Sequence, residues 1–245
     1  MNPVHSKTFT VSAYDADRFQ RLKPSRLLGF MQEAAGDHST LLGAGKDALC
    51  EKALFWAVLR HKLQITRLPS VGESVTVETW PMPTTRSAYP RSAIGYDCSG
   101  NELFRGISLW VLMSADARSL VLPGKSGVIV NGILRGNELA VPGSQAPLAL
   151  KNQLSRQVQF TELDENGHMN NCRYLDWACD LLPSQFHENH PLQGFSVRYL
   201  SEAKEQETLG LSWELTQDGG LLLEGARSPS VDAGHDRVFS LQLEF

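Results

Sequence analysis

Two tracts of this chain alternate apolar and polar residues with a period of two, and that pattern limits the fold more than any other feature. In the first tract, Leu59, His61, Leu63 and Ile65 alternate within Leu54 to Arg67, Val75 and Val77 within Ser74 to Trp80, and Leu103, Ile107, Leu109 and Val111 within Glu102 to Met113. In the second, Leu209, Leu211, Trp213 and Leu215 are followed by Phe239, Leu241, Leu243 and Phe245. Alternation sends successive side chains to opposite faces of a strand, so such runs require antiparallel sheets with one covered face.

Each tract has a helix in front of it to do the covering. Pro24 and Ser25 open the first helix, which runs to about Leu42 and is closed by Gly43-Ala44-Gly45. Its apolar stripe is Leu27, Leu28, Met31, Ala34, Ala35, His38, Leu41 and Leu42. Lys7 to Ala13 reads as a strand before it, and Arg86 to Asp97 as another after it, with Pro90 implying an edge or a bulge. The second helix ends at Leu182, before Pro183. A strand from Leu154 to Phe160 precedes it. A loop, SQFHENHP, and four strands follow: Gln193 to Leu200, Thr208 to Thr216, Leu221 to Arg227 and Arg237 to Phe245. Asp218-Gly219-Gly220 and Asp232-Ala233-Gly234 supply turns. Residues 119–153, rich in Gly and Pro, including Pro142 and Pro147, read as a connector laid over the surface. The expected architecture is α+β: a domain over 1–130, a connector over 131–153 and a domain over 154–245. In each domain an antiparallel sheet wraps a central helix.

A net charge of −4 and no basic run argue against a nucleic-acid partner. No apolar run approaches the ~18 residues that span a bilayer, and MNPVHSKTFTV lacks a hydrophobic signal core, so a cytoplasmic protein is expected. Cys50, Cys98, Cys172 and Cys179 have neither metal spacing nor a CxxC, which reads as free thiols in a reducing compartment. No metal and no cofactor are expected.

The chemistry concentrates in FTELDENGHMNNCRYLDWACDLLP, residues 160–183. Asp164, Asn166 and His168 occupy alternate positions, which on an extended segment places them on one side. The helix behind them carries a stripe of Met169, Cys172, Leu175, Ala178, Cys179 and Leu182. An amide, an imidazole and a carboxylate are thus expected at the positive end of a buried helix. Taken singly, Asp164 and Asn166 are ordinary turn and cap residues, and His168 an ordinary surface or capping histidine. His38, on the apolar stripe, reads as a satisfied core histidine, and His187 and His190 as solvated loop residues.

DENGHMNNCRY at 164–174 resembles the Asp-x-Asn-x-His-x-x-Asn-x-x-Tyr segment of the acyl-acyl-carrier-protein thioesterases of plants and bacteria. LPSVGESVTVETWP at 68–81, SLWVLMSADARSLVLP at 108–123 and VRYLSEAKEQETL at 197–209 are similar to further segments of that family, in the same order. The resemblance implies two tandem hot-dog domains and hydrolysis of fatty acyl-carrier thioesters in fatty acid biosynthesis. It places catalytic residues on Asp164, Asn166, His168 and Glu202. The family often has a cysteine after the glutamate. Here Ala203 stands there, which removes a cysteine nucleophile at that site. The plant members' transit and anchor segments have no counterpart in the sequence, which fits a bacterial-type enzyme.

A thioesterase needs a polarised carbonyl, an activated water or carboxylate, and an exit for the thiolate. The amides of His168 and Met169 are candidates for the carbonyl oxygen. Glu202 or Asp164 is the base, or a nucleophile giving an anhydride; Glu202 is favoured, with Asp164 orienting Asn166 or His168. Small residues beside Leu27, Leu28, Met31, Ala34 and Ala35 either leave room for an acyl chain or simply allow close packing, and Met169 would line the site from the second helix. Arg60, His61, Lys62, Arg67, Arg86 and Arg91 are candidates for a basic patch that receives an acidic carrier protein, or are merely solvated strand residues. A homodimer follows from the resemblance alone. An acyl-coenzyme A thioesterase and a non-catalytic acyl-binding protein are the alternatives.

Overall fold

The alternating tracts form antiparallel ladders in a computed structural model that describes residues 2–141, 143, 148–227 and 236–245. The chain divides into two units, Met1–Val141 and Pro142–Phe245.

The first unit contains β1 (His5–Thr10), α1 (Pro24–Leu41), α2 (Lys46–Cys50), β2 (Leu54–Ile65), β3 (Ser74–Pro81), β4 (Tyr89–Tyr96), β5 (Glu102–Ser114), β6 (Leu120–Val121) and α3 (Pro123–Ser126). Its strands lie in the order β1-β3-β4-β5-β2, all antiparallel, and β6 pairs with the end of β5. α1 packs on β1 and β3. Pro24 starts the helix where a missing N–H costs nothing. Leu27, Leu28, Met31, Ala34 and Ala35 are all buried, and a fully buried Leu contributes about 1.5–3 kcal/mol. Phe9 stacks on Phe30 with centroids 4.3 Å apart.

Pro90 marks neither the expected edge nor the expected bulge: β4 lies between β3 and β5, and its register shift falls at Gly95/Tyr96. It stands second in β4, past the last β3 pair (Pro81 with Arg91), so no ladder donor is needed there. Its carbonyl accepts the Met82 N–H at 2.9 Å.

The start of the expected surface connector belongs to the core. Ser126 and Val128 are buried, and Val128 packs with Ala44, Leu49, Leu54, Tyr89 and Leu112. The Tyr89 hydroxyl bonds the Ser126 hydroxyl at 2.9 Å. Further along, Ile133 N–H donates to Pro81 O at 2.9 Å, and the Arg135 guanidinium lies 4.6 Å from the Trp80 ring. Short apolar residues between glycines give no period to read, which is why these contacts were not anticipated.

The second unit contains β7 (Asn152–Gln157), α4 (Arg173–Asp180), α5 (Ser184–Asn189), β8 (Gly194–Tyr199), β9 (Thr208–Leu215), β10 (Leu221–Ala226) and β11 (Arg237–Glu244). Its order is β7-β9-β10-β11-β8, again antiparallel. α4 packs on β11, with the Tyr174 ring 4.5 Å from Phe239 and 5.6 Å from Tyr199. Gly225 pairs with Phe239, and a Cβ on Gly225 would lie 2.1 Å from that ring. Gly95 and Phe104 repeat the arrangement in the first unit, again at 2.1 Å.

Two expectations fail here. α4 has eight residues and starts at Arg173, so Met169 is not helical and Cys172 only caps the helix. The cause is local: the Asn170 side chain accepts the Cys172 N–H at 2.9 Å, a turn that competes with the helix. The expected loop SQFHENHP contains α5, whose first turn closes when Phe186 N–H donates to Pro183 O at 2.9 Å. His187 and His190 meet the carbonyls of Cys179 and Phe186, each at 2.9 Å. The Asp218-Gly219-Gly220 turn is present, with Gly219 at φ 87°. The expected turn Asp232-Ala233-Gly234, like Pro142 and Pro147, lies outside the described residues.

Candidate active site

The end of β7 passes through a single helical turn, Phe160–Glu162, into a tight loop rather than an extended segment. Asp164 N–H donates to His168 O at 2.8 Å and Gly167 N–H to Asp164 O at 3.1 Å. Gly167 takes φ 75°, a left-handed conformation that favours glycine. Asp164 Oδ1 accepts the N–H of Asn166 at 2.8 Å and of His168 at 3.2 Å. The alternate spacing therefore does not align three side chains on one face. It lets Asp164 bind the backbone of the other two, as aspartate does in turns.

Beyond this loop, Leu163 bridges Met169, and His168 bridges Lys204. Met169 N–H donates to Ala203 O at 2.8 Å. That short pairing brings in the segment following β8 and sets Glu202 against the imidazole: His168 Nε2 lies 3.2 Å from Glu202 Oε2. The His168 side chain is 17% exposed and that of Glu202 is 45% exposed, so one partner is shielded and the other reaches solvent. Asn166 is exposed at the loop tip.

The expectation of an imidazole at a helix mouth is corrected by the same bonds. His168 lies upstream of α4, and the amides of His168 and Met169 already have acceptors in Asp164 and Ala203. Beneath the loop, the Tyr199 hydroxyl donates to Asn171 O at 2.8 Å. Trp177 Nε1 donates to Glu162 Oε1 at 2.6 Å. Burial holds the phenols of Tyr174 and Tyr199 well above the usual tyrosine range, so both stay protonated. Cys172, half-buried, points its thiol at the Asn171 side-chain oxygen, 3.3 Å away. The sequence reading missed Arg227, whose guanidinium reaches Ser201, Glu202 and Glu207. No spacing rule links residues 25 positions apart; only strand register could have shown it.

In the first unit, Met31 and Ala35 line a small hollow with Gln32, His61, Thr79, Arg91, Ala93, Ser108 and Trp110. Leu27, Leu28 and Ala34 are fully enclosed at 0% exposure, as close packing of helix on sheet requires. His61 and Arg91 are buried and drop out of the expected surface basic patch. Arg67 is paired with Glu73 at 2.7 Å. Arg91 donates to His38 Nδ1 at 3.1 Å and Thr79 Oγ1 at 3.3 Å. Burial, then the Arg91 charge, pushes His38 down to about 4, and burial pushes His61 down to about 3.

The description "Acyl-ACP thioesterase N-terminal domain" matches residues 2–122, and "Acyl-ACP thioesterase C-terminal domain" matches residues 146–225. The chain belongs to the acyl-ACP thioesterase family. Among curated members, the palmitoyl-acyl carrier protein thioesterase of Gossypium hirsutum is 27% identical over 221 residues, covering 84% of this chain and 54% of its own. The dodecanoyl-[acyl-carrier-protein] hydrolase of Cinnamomum camphora is 25% identical, covering 84% and 58%. The chain thus spans about half the length of the curated relatives it matches. Among solved structures, an acyl-ACP thioesterase from Bacteroides thetaiotaomicron has a TM-score of 0.87 at 20% identity, covering 100% of this chain and 98% of that one. The 12:0-ACP thioesterase of Umbellularia californica has 0.81 at 22%, covering 100% and 97%. This acyl-ACP thioesterase family member therefore has the fold of those enzymes, two tandem hot-dog domains. Among its described residues no helix is long and apolar enough to cross a membrane.

Proposed function

We propose that this protein hydrolyses fatty acyl thioesters of acyl carrier protein to a free fatty acid and the carrier thiol, with Glu202 as general base. The observation that carries the reading is the 3.2 Å approach of Glu202 Oε2 to His168 Nε2. A carboxylate open to solvent and a shielded imidazole then flank one reaction space. Glu202 takes a proton from water as the water oxygen attacks the thioester carbon. Asn166, at the exposed loop tip, donates its side-chain N–H to the developing oxyanion. The tetrahedral intermediate breaks its C–S bond; Glu202 returns its proton to His168 Nε2 as His168 passes its Nδ1 proton to the leaving sulfur, which restores both side chains. Asp164 holds the loop that presents both Asn166 and His168, its Oδ1 accepting from two amides.

The carrier protein as partner is supported by the names of the relatives. Arg60, Lys62, Arg67 and Arg86 remain candidates for its docking, as the partly or fully exposed members of the basic set, with Arg67 paired to Glu73. The exposed thiols of Cys50 and Cys98 support a reducing, cytoplasmic setting. The homodimer rests on family resemblance alone.

The test is thiol release from acyl-carrier thioesters, with the matched coenzyme A thioesters alongside to compare carriers. Glu202→Gln and His168→Ala are each expected to lower kcat/KM by about 10²–10⁴-fold. Full activity in either variant would remove the proposed site.

A further inference from the structure

We infer that Arg227 is a positioning residue for Glu202, an inference that rests on the hydrolase reading above. Arg227 follows the last residue of β10, and its N–H donates to Asp236 O at 3.0 Å, so the sheet sets its backbone. Its guanidinium enters one loop by three routes. Nη1 donates to the Ser201 hydroxyl at 2.7 Å, Nη2 donates to the carbonyl of Glu202 itself, and Nε donates to Glu207 Oε1. Glu207 Oε2 in turn accepts the Lys204 N–H at 2.9 Å. A planar fork of donors fixes direction as well as distance, which a lysine ammonium does not.

The neighbours of Glu202 show why this clip matters. Ser201 is anchored upstream, its N–H donating to Val238 O at 3.1 Å, and Ala203 O is anchored downstream by Met169 N–H at 2.8 Å. Both anchors hold the flanking residues, whereas the Glu202 carbonyl is held by Arg227. The Glu202 side chain is nearly half exposed, so packing alone does not fix its direction towards His168. The guanidinium of Arg227 donates to Ser201, Glu207 and the Glu202 carbonyl rather than to the imidazole. It acts through the backbone that carries the carboxylate.

The experiment compares Arg227→Met and Arg227→Lys with the wild type and repeats Arg227→Met in a Glu202→Gln background. Arg227→Met is expected to lower kcat about 10–100-fold, since misplacement near 1 Å costs on that order. KM and Tm are expected to stay within about twofold and about 2 °C. Arg227→Lys recovers part of kcat, and guanidinium ion added to Arg227→Met recovers more. In the Glu202→Gln background Arg227→Met costs nothing further. An equal loss in both backgrounds, or an unchanged kcat, overturns the inference. Amide hydrogen exchange supplies a readout independent of turnover: protection at residues 201–204 falls in Arg227→Met, and unchanged protection overturns the inference even if the wild type hydrolyses nothing. A wild type without turnover whose exchange still responds defeats the hydrolase reading and leaves the clip standing.

Discussion

Asp164 and Glu202, the two carboxylates of the proposed site, have different surroundings. Asp164 Oδ1 spends its lone pairs on the amides of Asn166 and His168; Glu202 faces an imidazole. Asparagine keeps an oxygen acceptor, so Asp164→Asn is expected to stay within about 10-fold of wild-type kcat/KM, whereas Glu202→Gln loses about 10²–10⁴-fold. Thiol-release kinetics on the two variants decides, and the reverse order would make Asp164 the base. Gly167, at φ 75°, is expected to lose about 1 kcal/mol on replacement by alanine, measured by urea unfolding. Residue types alone pointed to this loop, because amide, imidazole and carboxylate stand close together in the chain. What they concealed was orientation. The alternation implied one face, while the Asx-type turn around Gly167 turned the carboxylate inwards to the backbone.

Strands were easier to read than helices. Leu209 to Leu215 and Phe239 to Leu243 alternate because each strand has a definite inner face, and they appear in β9 and β11. Leu59 breaks the count where β2 carries a bulge between Val58 and Arg60. α4 was overestimated because steps of three and four also occur by chance in a turn, and Asn170 with Asn171 prefers turn bonds to helix bonds. The glycine–phenylalanine pairs were invisible, since a strand glycine reads as weakness until its partner is known. Each phenylalanine ring lies where a Cβ would stand, so Gly225→Ala is expected to cost about 1–3 kcal/mol. Equilibrium urea denaturation measures it, and a neutral result would show that Phe239 swings aside freely.

The molecule as a whole has a stability that depends on acidity through its buried bases. His38 and His61 have folded values of about 4 and about 3, below the unfolded value of about 6.5. The unfolded chain then binds more protons than the native one in the interval between. Stability is therefore full above about 6.5 and falls as pH drops towards those folded values, by at most about 1.4 kcal/mol per pH unit for each histidine. Tm measured from pH 7 to pH 4 should decline, and His61→Asn should flatten the decline. The general plan, a covering helix and an antiparallel run used twice, was legible because periodicity repeats across the chain. The packing of the connector was not: Val128 sits among Ala44, Leu49, Leu54, Tyr89 and Leu112, and Arg135 lies over Trp80, through contacts that carry no period.

Glu202 and His168 are brought together by the bridge of His168 with Lys204 and the bond from Met169 to Ala203. Ser201 hangs from Val238 on β11, well downstream in the sequence. Helix and turn can form early, but the proposed pair must wait for β11 to close its ladder. A refolding chain should regain its secondary structure before its catalytic competence, and a nascent chain that stops short of β11 should be inert.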